Sequence, residues 1–94
     1  MNALGQKLRE LRTGKGLTIQ DVVDALGKTP GYISRLETRD EIPSAELLVA
    51  FAQLFDADPA ELLRLAKDAQ LGRIERDINT KHEQALELYR KARK

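Results

Sequence analysis

Chemistry that breaks bonds needs a nucleophile or a base, and few residues of this sequence qualify. His82 is the only histidine and there is no cysteine, so disulfides and thiolate zinc sites are excluded. A lone helical histidine reads as an exposed side chain with no nucleophile beside it. No metal and no cofactor are expected. The Asp and Glu residues, 15 in all, fall where helix caps and helix surfaces account for them. No strand followed by a glycine-rich loop offers a phosphate cradle. An enzyme is therefore the weakest reading, and binding the stronger one.

The binding chemistry within reach is electrostatic. A formal net charge of +1 hides a partition along the chain. Residues 1–17 carry Lys7, Arg9, Arg12 and Lys15 against Glu10 and stand at +3. Residues 18–71 stand at −5 and residues 72–94 at +3. A polyanion binder needs a basic face, not a basic total, so both ends are candidates. Ordinary solvated helix faces would give the same pattern. No apolar run approaches the roughly 20 residues of a membrane span. The N-terminal stretch MNALGQKLRE lacks the apolar segment of a signal peptide. A cytoplasmic protein, away from membranes, is expected.

The elements that position these residues are helical, because the apolar residues recur at helical spacing and nowhere alternate as in a strand. A first helix is predicted from about Ala3 to Thr13, with Leu4, Leu8 and Leu11 on one face, closed by Gly14-Lys15-Gly16. Thr18 with Asp21 forms a capping-box-like T-x-x-D that opens a second helix through Val22, Val23 and Leu26. Gly27 stops it. Thr29 caps a third helix with Pro30 in its first turn and Ile33 and Leu36 inward. Thr38-Arg39-Asp40-Glu41 reads as a polar loop. Ser44 caps a fourth helix bearing Leu47, Leu48, Phe51, Ala52 and Phe55. Asp58-Pro59 opens a fifth with Leu62, Leu63 and Leu65. Beyond it, Leu71, Ile74, Ile78, Lys81, Ala85, Leu88 and Ala92 follow the 3-4 spacing of a heptad seam. A T-x-x-E box at Thr80 and Glu83 allows the helix either to continue or to restart near residue 81.

The informative unit is residues 17–37, LTIQDVVDALGKTPGYISRLE. Two short helices joined by a tight turn at Gly27 cross steeply and leave the front of the second one exposed. A major groove about 12 Å wide accepts one α-helix, whose leading turns then meet base edges. Over about residues 4–66 the sequence resembles the Cro/repressor-type (XRE-family) helix-turn-helix proteins. L-x-x-L-R-x-L-R-x-x-K-G-L-T opens the match, G-x-x-x-x-Y-I-S-R-L-E marks the recognition helix, and P-S-x-x-L-L-x-x-A follows it. The resemblance implies an all-α fold, a five-helix lambda-repressor-like domain over residues 1–70, with a C-terminal helical extension over 71–94. It implies sequence-specific binding of double-stranded DNA by a transcription regulator, a repressor acting as a homodimer on an inverted repeat.

Carried over residue by residue, the family's reading helix falls at about residues 29–38. Arg35, Tyr32, Ser34, Gly31 and Pro30 stand at base-contact positions, with Arg35 foremost because its fork suits guanine O6 and N7. Thr18, Lys28, Thr29, Arg39 and Ser44 stand where phosphate contacts are made, the helix starts at Thr18 and Ser44 adding backbone N–H groups. Arg12 and Glu37 match a partly buried structural ion pair. Leu71, Ile74, Ile78, Ala85 and Leu88 would form the dimer or partner interface. The basic end, Arg90, Lys91, Arg93 and Lys94, reads as a solvated tail or a further backbone contact.

The sequence departs from the family in places. Ile19 stands where many relatives have a phosphate-bonding glutamine. Asp40 and Glu41 make the following loop acidic where it is often basic, and Pro30 and Gly31 bring few hydrogen-bonding side chains. Ile19 and the acidic loop favour the competing reading, an antitoxin-like or adaptor module whose residues 73–94 grip a protein partner while DNA binding is secondary. The recognition-helix pattern and Arg35 oppose it.

Overall fold

Leucines spaced four apart decide the first packing step. In the computed structural model, which describes residues 3–39 and 41–92, Leu4 and Leu8 are buried on α1 (Ala3–Gly14). Four further helices follow, α2 (Ile19–Leu26), α3 (Pro30–Thr38), α4 (Ala45–Phe55) and α5 (Pro59–Ala92), and the described residues contain no strand. Helix α1 lies across α3 and α5, α2 packs on α3, and α4 packs on α5. The core joins Leu4, Leu8, Val22, Ile33, Leu36, Leu48, Phe51, Phe55 and Leu62, with the Phe51 and Phe55 rings stacked at 5.6 Å.

The helix boundaries follow from local chemistry. Gly16 and Gly27 take left-handed φ values of 71° and 66° after α1 and α2, a conformation that glycine reaches without a Cβ penalty. At Thr18 the capping box is reciprocal: its Oγ1 accepts from the Asp21 N–H at 3.1 Å and its own N–H donates to Asp21 Oδ2 at 2.8 Å. The Thr18 N–H bond, with a further contribution from the Thr18 side chain, holds the Asp21 carboxyl below its ordinary range. Thr29 and Ser44 cap α3 and α4 through the N–H groups of Tyr32 and Leu47, each at 3.2 Å, and Asp58 Oδ1 accepts the Ala60 N–H at 3.0 Å ahead of α5. The C-cap of α4 is a non-glycine, Asp56, at φ 53°.

Two features were not legible in the pattern. The heptad segment is the second part of α5, one unbroken helix of 34 residues, about 50 Å long at 1.5 Å per residue. The Thr80 hydroxyl donates to the Arg76 carbonyl one turn back at 2.9 Å, so this threonine is an interior residue, not a cap. The boundary expected between residues 70 and 71 falls inside this helix. Every residue of 73–92 is exposed.

The other is Gly5. A Cβ built there would lie 2.7 Å from the Leu36 carbonyl oxygen and 2.8 Å from that of Glu37. The backbone of α1 thus rests on the last turns of α3. Gly5→Ala is expected to destabilise the fold by about 1–3 kcal/mol, the usual cost of overpacking, read as a lowered urea midpoint. A midpoint equal to or above the wild-type value would show that the two helices can separate freely.

Candidate nucleic-acid interface

Helix α3 has two unlike sides. Ile33, Leu36 and Glu37 are buried against α1 and α2, and the opposite side and the leading turn face solvent. Pro30 supplies a preset φ at the first helical position and Gly31 follows, both exposed. Tyr32 and Ser34 are half-buried, and Arg35 and Arg39 exposed.

The anchor beneath this surface is ionic. Arg12 Nε donates to Glu37 Oε2 at 2.7 Å and its Nη2 to Oε1 at 3.1 Å, a two-pronged bond from α1 to α3. The two side chains are 11% and 6% exposed. Arg12 Nη1 also donates to the Leu17 carbonyl at 2.9 Å, so one guanidinium ties together α1, α3 and the turn before α2. The hydrogen bonds to Glu37 raise the Arg12 pKa further against the opposing effect of burial, and the cation is permanent.

Four of the sequence-predicted contact residues come together. Lys28, Thr29, Tyr32 and Arg35, with Gly27, line one shallow concavity of about 350 Å³. Within it two cations lie over the Tyr32 ring, Arg35 Cζ 5.7 Å and Lys28 Nζ 6.0 Å from its centroid, within the range of cation–π attraction. Burial raises the Tyr32 phenol above its ordinary pKa, the Glu41 carboxylate adds to the rise and Arg35 opposes it. The hydroxyl is therefore a protonated donor at neutral pH. The arrangement offers a phenol and two cations around one open concavity, the chemistry of a surface that meets phosphates and base edges.

The other predicted contacts sit apart from this cluster. Ser44 lines a separate concavity with Ile42, Pro43, Gln70, Arg73 and Ile74, where α5 passes the start of α4. At α2 the Thr18 N–H is already committed to Asp21. The amides still open to an anion there are those of Ile19 and Gln20, which helix geometry leaves without an intrahelical partner. Ile19 packs against the core, which explains an apolar residue at that position. Arg39 closes α3, its N–H donating to the Arg35 carbonyl at 2.9 Å. Asp40, Arg93 and Lys94 lie outside the described residues.

By sequence alone Glu41 is only one of two acids in the loop after α3. In the structure its Oε2 accepts from Arg35 Nε at 2.9 Å, a contact across six residues for which helical periodicity gives no signal. On α5, Leu71, Ile74, Ile78 and Leu88 are 45–68% exposed, with Ala85 also in solvent. Among the described residues no cluster of His, Asp or Glu could hold a metal ion, and no helix is long and apolar enough to cross a membrane.

Residues 3–65 match the model of a helix-turn-helix domain. Over 58 residues, 62% of this chain, the sequence is 38% identical to a propionyl-CoA carboxylase regulator of Cereibacter sphaeroides, and the match spans 13% of that relative's length. Two crystal structures of the clp gene regulator ClgR from Corynebacterium glutamicum are similar in fold. One is 35% identical, with a TM-score of 0.60 over 72% of this chain and 88% of ClgR. The other is 32% identical, with a TM-score of 0.62 over 89% and 90%.

Proposed function

This chain belongs to the helix-turn-helix domain family, and from that premise we propose that it is a DNA-binding transcription regulator, a repressor that grips an inverted-repeat operator as a homodimer. Helix α3 enters the major groove with its leading turn against the bases. Arg35 reads guanine through its terminal nitrogens, and Tyr32, Ser34, Gly31 and Pro30 line the same edge. Lys28, Thr29 and Arg39 hold the flanking phosphates, and the starts of α2 at Thr18 and α4 at Ser44 add amide contacts. Leu71, Ile74, Ile78, Ala85 and Leu88 of α5 pair with a second copy. The two reading helices then lie about 34 Å apart, one turn of B-DNA.

The observation that carries this reading is the division of α3. Its back is locked by the Arg12–Glu37 bond, and its front gathers Lys28, Thr29, Tyr32 and Arg35 around one open concavity. A surface fixed from behind and exposed in front is preorganised for a ligand, which lowers the ordering cost of binding.

Titration of the purified protein against its own upstream DNA at several salt concentrations tests the proposal. A specific complex whose affinity falls steeply with salt is the expected result. Arg35→Ala should weaken that complex by about 1–3 kcal/mol, roughly five- to 150-fold, with the circular dichroism spectrum unchanged. An operator affinity unaltered by the substitution would remove Arg35 from the reading surface.

The exposed apolar line on α5 also favours a second reading. A protein partner could take residues 73–94 in the manner of an antitoxin or adaptor, with DNA binding secondary. Salt-insensitive silence on DNA together with a co-purifying partner would select it.

A further inference from the structure

Arginine is a strong but indiscriminate ligand. Its charge draws it to any phosphate, and only its planar fork distinguishes guanine. A reading arginine gains discrimination when its plane is held and its net attraction for the backbone is reduced. Both conditions are met around Arg35. The Glu41 carboxylate occupies the Nε–H at 2.9 Å, one of five guanidinium donors. The Tyr32 ring lies against the guanidinium, 5.7 Å from Cζ. The pair is half in solvent, with side chains 47% and 39% exposed, so it holds Arg35 without burying it. Contact through Nε leaves the outer N–H of each terminal nitrogen, the end-on fork of the guanidinium, clear of the carboxylate.

We propose that Glu41 is a specificity-determining residue that acts through Arg35, orienting its terminal fork for a guanine edge and cancelling its pull on phosphate. The inference rests on the DNA-binding reading given above. It assigns a role to the acidic loop that would otherwise count only against DNA affinity. In the free protein Glu41 stands where a phosphate oxygen would sit on Arg35. A random duplex must displace it, whereas a correctly placed guanine need not.

The test compares wild type, Glu41→Ala and Glu41→Gln, each with and without Arg35→Ala. The ligands are a duplex selected by the wild-type protein from a random-sequence pool, and bulk random duplex. Glu41→Ala should bind random duplex about five-fold more tightly near 0.15 M salt, with the salt slope steeper by about 0.9, as one added phosphate contact requires. Its preference for the selected duplex should fall by at least that factor. Glu41→Gln should gain the same random-duplex affinity but retain the selected base at the Arg35 position, because its amide oxygen still accepts from Nε. With Arg35 removed, neither change should have any effect. Unaltered salt slope and preference in Glu41→Ala, or full effects in the absence of Arg35, would overturn the assignment of Glu41 alone. A wild-type protein that selects no duplex would overturn the DNA-binding reading itself, and this inference with it.

Discussion

Glu37→Ala is expected to cost about 3–5 kcal/mol of folding stability, because it leaves the Arg12 guanidinium partly buried without its counter-charge. The geometry makes the cost large for a single side chain. Both carboxylate oxygens are in use, the two partners are 11% and 6% exposed, and water has little access to replace what is lost. Arg12→Ala should do comparable damage and also free the Leu17 carbonyl, to which Nη1 donates at 2.9 Å. Folded domains are stable by only about 5–15 kcal/mol, so either single variant should unfold at markedly lower urea. Joint replacement of both residues by leucine should cost less than either truncation, since no charge is then left stranded. Urea midpoints followed by circular dichroism measure all three. A Glu37→Ala midpoint equivalent to less than about 1 kcal/mol would mean that the bond behaves as an exposed pair and does not fasten α3 to the core. Such a result would also remove the rigid backing that the reading helix relies on.

What could be read directly from the sequence, and what could not, divides along the range of the interactions concerned. Thr18 with Asp21, Gly27, and Thr29 with Pro30 act within one turn of chain, and the structure realises each as a cap or turn. The five-helix order and the buried faces follow from such signals together with the spacing of leucines. Arg12 and Glu37 are 25 residues apart, so no periodicity joins them, and only the resemblance to a family brought them together. Gly5 gave no signal, because its role depends on the carbonyls of Leu36 and Glu37 arriving from another helix. Asp56 took a left-handed conformation that glycine usually supplies, through two hydrogen bonds from its N–H to Ala52 and Gln53. Thr80 shows the converse. A T-x-x-E string is compatible with a cap, but where the preceding turn already carries its ladder the hydroxyl bonds back into it. At the candidate interface Lys28, Thr29, Pro30, Gly31, Arg35 and Arg39 are exposed, while Tyr32 and Ser34 are half-buried. The clamp of Glu41 on Arg35 depended on the path of a loop that sequence spacing does not specify.

Deleting residues 73–94 should leave the five-helix core folded, reduce a dimer to a monomer, and weaken operator binding by about 10²–10⁴-fold. The core should survive because the buried residues of α5 are Leu62 and Ala66, well before the cut. The loss of pairing follows from the surface removed. From Arg73 onward α5 runs through solvent, carrying Ile74, Ile78 and Leu88 at 45–68% exposure. Its visible support is local, such as the Lys81–Asp77 pair at 3.2 Å and the Arg90–Glu87 pair at 3.9 Å. Exposed pairs of this kind contribute a few tenths of a kcal/mol each, too little to hold 20 residues of helix in isolation. In the proposed dimer, an apolar seam at heptad spacing against a second copy would supply the missing stabilisation. The affinity then falls on truncation because two weakly held half-sites no longer bind as one ligand, although every residue proposed to meet DNA on α2, α3 and α4 is still present. Light scattering and an operator titration on the same preparation read the two effects together. A truncated protein that remains dimeric would move the interface onto the core helices, with Leu63 and Val49, 37% and 38% exposed, as the first places to look. A monomer with undiminished affinity would instead mean that one reading helix suffices, and the inverted-repeat operator would have to be abandoned.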